Sequence, residues 1–234
     1  MTVEEFITLF RRNTENPSYT YDRDLPDVST LWSNFQLIQY LNEAQDEFAE
    51  RTYCFKDRTT FTLDVVAGEA DVEADERILK VERAERVSDN IVLDLKTIEQ
   101  FQQGFYDDDY GLRRVTSWET RTGTPRTIIT DLDSGYFRLY PIPTENDTIN
   151  LAVRRLPLHR LQQLDDHIEI PNRWVYTLMY KVQELAYSHP LALANGFGDG
   201  LMYAKQQWEK NIVDASSKYK IKQRGPGVTR YGGL

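Results

Sequence analysis

The spacing of apolar residues changes twice along this chain, from helical to alternating and back, and this limits the fold more than any other feature. Between Ser33 and Tyr53, Leu37, Ile38, Leu41, Ala44, Phe48 and Ala49 recur at three-to-four spacing, with Glu43, Asp46, Glu47 and Glu50 largely on the other face. From Arg58 the run Thr59 to Val66 is β-branched or aromatic and partly alternates with polar residues, which marks the first strand. Helical spacing returns in Val175, Leu178, Met179, Val182, Leu185 and Ala186, bounded by Pro171 and Pro190. After a glycine-containing connection, Leu201, Ala204, Trp208, Ile212 and Ala215 repeat it in a last helix with Asp199 as a cap. These two helices are expected to pack antiparallel, together with the Leu37 helix.

Smaller elements follow from the same rules. Residues 2 to 12 fit a short amphipathic helix with Phe6, Ile7, Leu9 and Phe10 inward. Inside the β region, Ile78 to Val87, Ile91 to Leu95, Arg126 to Thr130, Tyr136 to Tyr140 and Thr148 to Arg155 read as strands. A short helix from Thr97 to Gln103, capped by Thr97, interrupts them. Gly104 to Arg114, with Asp107-Asp108-Asp109 at its centre, reads as a surface loop. The expected fold class is therefore α+β. It comprises an antiparallel helical bundle of the N-terminal helix and the C-terminal helix pair, an inserted antiparallel β domain, and an extended C-terminal tail. The expected boundaries are residues 1–57 and 156–217 for the bundle, 58–155 for the insertion and 218–234 for the tail.

With 234 residues and 40% hydrophobic content the chain can build one elaborate domain or two modest ones. Cys54 is the single cysteine, so no internal disulfide forms and packing supplies the stability. The start Met1-Thr2-Val3-Glu4-Glu5 lacks the basic and apolar runs of a secretory signal, and no stretch approaches about 20 apolar residues. A protein made soluble in the cytoplasm, without membrane contact, is the expectation. Its net charge of −9 is uneven: from Ala215 to Leu234 there are Lys218, Lys220, Lys222, Arg224 and Arg230 and no acid. That end carries +5, which leaves −14 on the rest, and an acidic body disfavours wrapping nucleic acid.

Signals for catalysis or metal binding are weak. There is no phosphate loop of the Gly-rich, Lys-containing type and no Gly-x-Ser-x-Gly elbow. Asp165-Asp166-His167 are adjacent and point in different directions, and neither His159 nor His189 stands at a spacing that forces convergence. Asp107 to Asp109 lacks the spacing and terminal Glu of a calcium loop. Cys54 follows the core helix and reads as a packing residue. No catalytic, cofactor-binding or metal-binding residue is expected, and no cofactor.

Several residues in fixed order carry a family resemblance. They are Trp32 with Leu37-Ile38-Gln39-Tyr40-Leu41-Asn42-Glu43-Ala44, then Gly123-Thr124-Pro125, then Phe137-Arg138-Leu139-Tyr140-Pro141-Ile142-Pro143, then Ile170-Pro171 leading into the helix that ends near Ala186-Tyr187. Together with the order helix, β insertion, helix pair and basic tail, they resemble the head-to-tail adaptors of tailed bacteriophages, a family that includes connector and tubular tail proteins. The resemblance implies a structural virion protein of the neck, made in the host cytoplasm, without enzymatic activity. It further implies a ring of about twelve copies that binds the portal protein, joins it to a tail nozzle or tail-tube protein, and lets genomic DNA pass.

On that resemblance the basic end becomes a portal-binding segment: Lys218, Lys220, Lys222, Arg224 and Arg230 steer association with an acidic surface, and Tyr219, Ile221 and Tyr231 add apolar contacts. Glu69, Asp71, Glu73 and Asp75 are candidates for an acidic channel wall that repels phosphates. Other readings are another neck or tail-tube ring component, a tail-associated cell-wall hydrolase, and a DNA-binding accessory protein using the basic tail. Portal binding, clearing of a cell-wall suspension, and salt-steep duplex affinity separate them.

Overall fold

The structure, a computed structural model, describes residues 1–14, 31–106 and 118–223. Six α-helices lie among them: α1 (Val3–Thr14), α2 (Asn34–Thr52), α3 (Ile98–Tyr106), α4 (Val175–Tyr187), α5 (Pro190–Ala194) and α6 (Gly198–Gln223). The strands are β1 (Phe55–Asp57), β2 (Thr62–Val65), β3 (Asp71–Glu73), β4 (Ile78–Arg86), β5 (Val92–Lys96), β6 (Thr122–Gly123), β7 (Thr127–Asp133), β8 (Tyr136–Tyr140), β9 (Ile142–Pro143) and β10 (Asp147–Arg155). By its internal contacts the chain divides into a helical unit, residues 1–54 with 156 onward, and a β unit, residues 55–155.

Three helices begin with the same device. Thr2 and Glu5, Ser33 and Gln36, and Thr97 and Gln100 each exchange side-chain-to-backbone hydrogen bonds of 3.0 to 3.2 Å, which satisfies amide groups that a helix start leaves without partners. α2 stops where Tyr53 adopts a left-handed φ of 51° and its N–H bonds the Ala49 carbonyl. Two adjacent stripes of α2 are buried, Leu37, Leu41, Ala44 and Phe48 beside Ile38, Asn42, Gln45 and Ala49, so this helix is covered on more than one side. Each large apolar side chain buried here contributes about 1.5–3 kcal/mol. Buried Asn42 also donates to and accepts from the backbone of Leu161, both at 2.9 Å, which ties α2 to the segment before α4.

α6 is different. Its buried seam is narrow, consisting of Ala204, Trp208, Ile212 and Ala215, and most of its remaining surface is exposed. Contacts of α4, and of Trp174 just before it, with α6 pair Tyr187 with Gly200, Tyr180 with Tyr203, Lys181 with Trp208 and Trp174 with Tyr219. Residue numbers rise along one helix as they fall along the other, so the two run antiparallel.

The β unit holds a large curled sheet in the order β1-β10-β4-β5-β7-β8-β3, with β2 also pairing β10. Period two is visible in β2, where Leu63 and Val65 are buried and Thr62 and Asp64 exposed. An all-antiparallel insertion was expected; β5 instead pairs with β7 in parallel, as does β6 with β9. The reason is the connection: a parallel neighbour needs a crossover of a dozen residues or more, and α3 with the chain after it provides one.

Candidate assembly surface

In the helical unit one carboxylate, that of Glu47, meets three helices. Glu47 on α2 sits 2.7 Å from Lys181 of α4 and accepts from the indole N–H of Trp208 of α6 at 3.1 Å and from Arg51 at 3.3 Å. Arg51 in turn forms a two-pronged bond with Glu209 of α6, 2.7 Å on each prong. Burial works against the charge of Glu47, but Lys181, Trp208 and Arg51 outweigh it and hold the carboxyl below its usual range. Lys181 is opposed by burial as well, and Glu47 with Glu184 keeps its ammonium above the usual lysine range. The apolar seam of α6 is thus fixed by geometry as well as area.

Toward its C-terminal end, α6 meets the turn that precedes α4. The indole N–H of Trp174 and a guanidinium N–H of Arg173 both donate to the hydroxyl oxygen of Tyr219, each at 3.2 Å. Arg173 lies 5.6 Å from the centre of the Tyr219 ring, and Lys218 lies 5.1 Å from the Trp174 ring while paired with Asp214 at 2.6 Å. Trp174 is buried and packs on Phe48, which packs on Trp208.

A different face of α4 and α6 shows apolar side chains to solvent. Tyr176 is 60% exposed, Tyr203 56% and Met202 69%. Tyr180 stands between them, its ring edge-on to Tyr203 at 6.1 Å. Burial first, and then Tyr203 and Tyr176, raise its phenol above the usual tyrosine range.

In the β unit, Gly123-Thr124-Pro125 and Tyr140-Pro141-Ile142-Pro143, far apart in sequence, meet in the β6–β9 pair. Buried Arg86 secures this corner: it donates to the Pro125 carbonyl at 3.0 Å, pairs closely with Asp89, and lies 3.6 Å from Asp147. Phe101, Trp118 and Tyr140 form a ring cluster beside it, with Arg138 over Trp118 at 5.3 Å.

Residues 1–230 match the model of a family described as SU10 adaptor protein, a family of phage head-to-tail adaptors. The chain belongs to this family. No curated protein matches it. The family is structural, and it associates this adaptor with the virion neck and with portal and tail proteins. Among the described residues no helix is long and apolar enough to cross a membrane, and no group of three or more metal-ligating side chains converges.

The site residues named from sequence fall in unequal places. Lys218 and Tyr219 belong to the Trp174 cluster of the adaptor, inside α6, which continues to Gln223. The tail expected from residue 218 is therefore helical backbone over its first six residues, including Lys220, Ile221 and Lys222. Arg224, Arg230 and Tyr231 lie outside the described residues. The four acids of the channel candidate do not form a bare strip. Asp71 pairs with Arg138 at 3.4 Å and Asp75 with Arg77 at 2.6 Å, while Glu69 and Glu73 are exposed. Asp166 accepts the backbone N–H groups of Gln162 and Gln163, a turn-stabilising role. Asp107 to Asp109 lie outside the described residues, and Cys54 is half-buried. Sequence reasoning missed Glu47, Lys181, Arg51, Glu209 and Arg86. A periodicity search discards charged residues, although Glu47 to Arg51 at four-residue spacing on α2 was a usable signal.

Proposed function

We propose that this adaptor assembles as a ring on the portal and joins it to a tail nozzle or tail-tube protein, its basic C-terminal segment docking on an acidic portal surface. The observation that carries this reading is charge placement in a chain matched by the adaptor family over residues 1–230. An acid-free end with +5 follows a body with −14. Opposite potentials speed encounter and fix orientation. The helical unit, with α2, α4 and α6 fastened at Glu47, serves in this reading as the rigid bundle of each subunit. The exposed face with Tyr176, Tyr203 and Met202 serves as lateral contact between copies, since aromatic and Met side chains are enriched at interfaces.

If the ring surrounds passing DNA, Glu69 and Glu73, with Asp71 and Asp75 partly neutralised by arginine, give the wall a negative character that discourages phosphate adhesion. Reversing these four charges then slows genome ejection after verified assembly; an unchanged ejection rate removes the channel assignment.

Co-sedimentation with tailless, portal-bearing heads of the same phage tests the main reading. The intact chain is expected to sediment with the heads at low salt and to be released as salt rises. A chain lacking residues 220–234 that sediments equally well overturns portal docking through this end.

A further inference from the structure

The segment read from sequence as one portal-binding unit contains two kinds of residue. Lys218 and Tyr219 are used within the subunit. The Tyr219 hydroxyl accepts from both Trp174 and Arg173 at 3.2 Å, its ring stacks obliquely on Trp174 at 6.4 Å, and Arg173 lies over it at 5.6 Å. Lys218 places its ammonium over Trp174 and against Asp214. Through Trp174 and Phe48 the cluster reaches the Trp208 and Glu47 centre of the helical unit. Among the side chains described, Ala215 is the last buried one of α6, and Ser216 to Tyr219 are half-buried or exposed.

Resting on the docking reading above, we infer that Tyr219 is the positioning residue of the C-terminal segment. The Arg173, Trp174 and Lys218 cluster fixes where that segment leaves the body, and contact with the acidic partner begins only at Lys220. The physical gain is preorganisation. A segment rooted at a fixed point searches less space and loses less freedom on docking than one that frays from Ala215. The hydroxyl has a specific part, because it is the common acceptor of two donors and Phe cannot replace it there.

The test uses the full chain with tailless, portal-bearing heads. Tyr219→Ala is expected to shift Trp174 emission and to raise amide exchange over residues 216–223 about tenfold or more. It is also expected to weaken docking roughly three- to tenfold. The salt dependence of docking stays native, since no charge is removed. Tyr219→Phe keeps the ring stack and falls between Tyr219→Ala and native. Lys222→Gln with Arg224→Gln leaves exchange in 216–223 native and flattens the salt dependence. A urea midpoint for each variant close to the native one shows that the body is folded. Native docking affinity in Tyr219→Ala overturns the inference, as does native amide exchange over 216–223. If deletion of 220–234 leaves docking intact, the docking reading itself fails, and the exchange data still report whether Tyr219 holds the helix end.

Discussion

Replacing Glu47 by Gln keeps the shape of the side chain and removes the charge that joins three helices. Breaking a buried ion pair by removing one partner costs about 3–5 kcal/mol. Here the loss is smaller, because Glu47 is 28% exposed, Glu184 remains 3.3 Å from Lys181, and the amide oxygen of Gln still accepts from Trp208. About 2 kcal/mol is expected at neutral pH. The assay is urea unfolding followed by tryptophan fluorescence, since Trp32, Trp174 and Trp208 all lie in the helical unit and only Trp118 in the β unit. Lys181→Met completes a double-mutant cycle, with an expected coupling of about 1–3 kcal/mol. The carboxyl of folded Glu47 lies below its usual range, so its stabilisation is complete above the unfolded pKa of about 4.3 and fades as pH falls through the folded value. The gap between native and Glu47→Gln should therefore narrow in acid. A gap under about 0.5 kcal/mol at pH 7, or one unchanged between pH 7 and pH 3, refutes the assignment.

Other expectations concern single contacts. Asp57 and Arg155 pair at 3.1 Å with both side chains 9% exposed, so Asp57→Ala should cost the β unit about 3 kcal/mol, read by its denaturant midpoint. Burial opposes the Asp57 charge, but the Thr59 and Thr60 amides, the Thr60 hydroxyl and Arg155 depress its carboxyl. This contribution is thus also present at neutral pH and lost in strong acid. Arg86→Leu should speed amide exchange at Gly123 and Thr124 at least about tenfold by releasing the Pro125 carbonyl, an effect absent from residues of the helical unit. Gly200→Ala places a methyl 3.1 Å from the Tyr187 ring and should cost about 1 kcal/mol, whereas Gly198→Ala meets open space and should be neutral or slightly stabilising.

The legible parts of the fold were those in which one period runs long enough to be counted. α2 occupies 34–52 within an expected 33–53, and its flanking residues Ser33 and Tyr53 are the caps themselves. Tyr136 to Tyr140 is a strand with the expected limits. Short elements were hidden. β1 is three residues at the end of a helical stretch, and β6 and β9 are two each, too few for a period. Pro190 was read as a helix stop, and it also opens α5, because a first-turn proline needs no N–H partner. The continuation of α6 past Tyr219 shows no apolar repeat in sequence, although its Lys and Gln residues have good helix propensity.

In the candidate site the legible part was the charge imbalance, which composition shows directly. The roles of Lys218 and Tyr219 were not legible, because their partners Arg173 and Trp174 stand more than forty residues earlier and only the antiparallel run of α4 and α6 brings them together. β10 carries a similar lesson. Adjacent Arg154 and Arg155 straddle an irregularity in the β10–β4 register, both are buried, and each has its own carboxylate, Glu82 and Asp57.

The most direct measurement of the central claim is imaging of tailless, portal-bearing heads after incubation with the purified chain. On the proposed reading the chain forms a closed ring at the portal vertex that saturates at a fixed copy number. Heads whose portal vertex stays bare at saturating protein, or that carry the chain scattered over the capsid surface, contradict it.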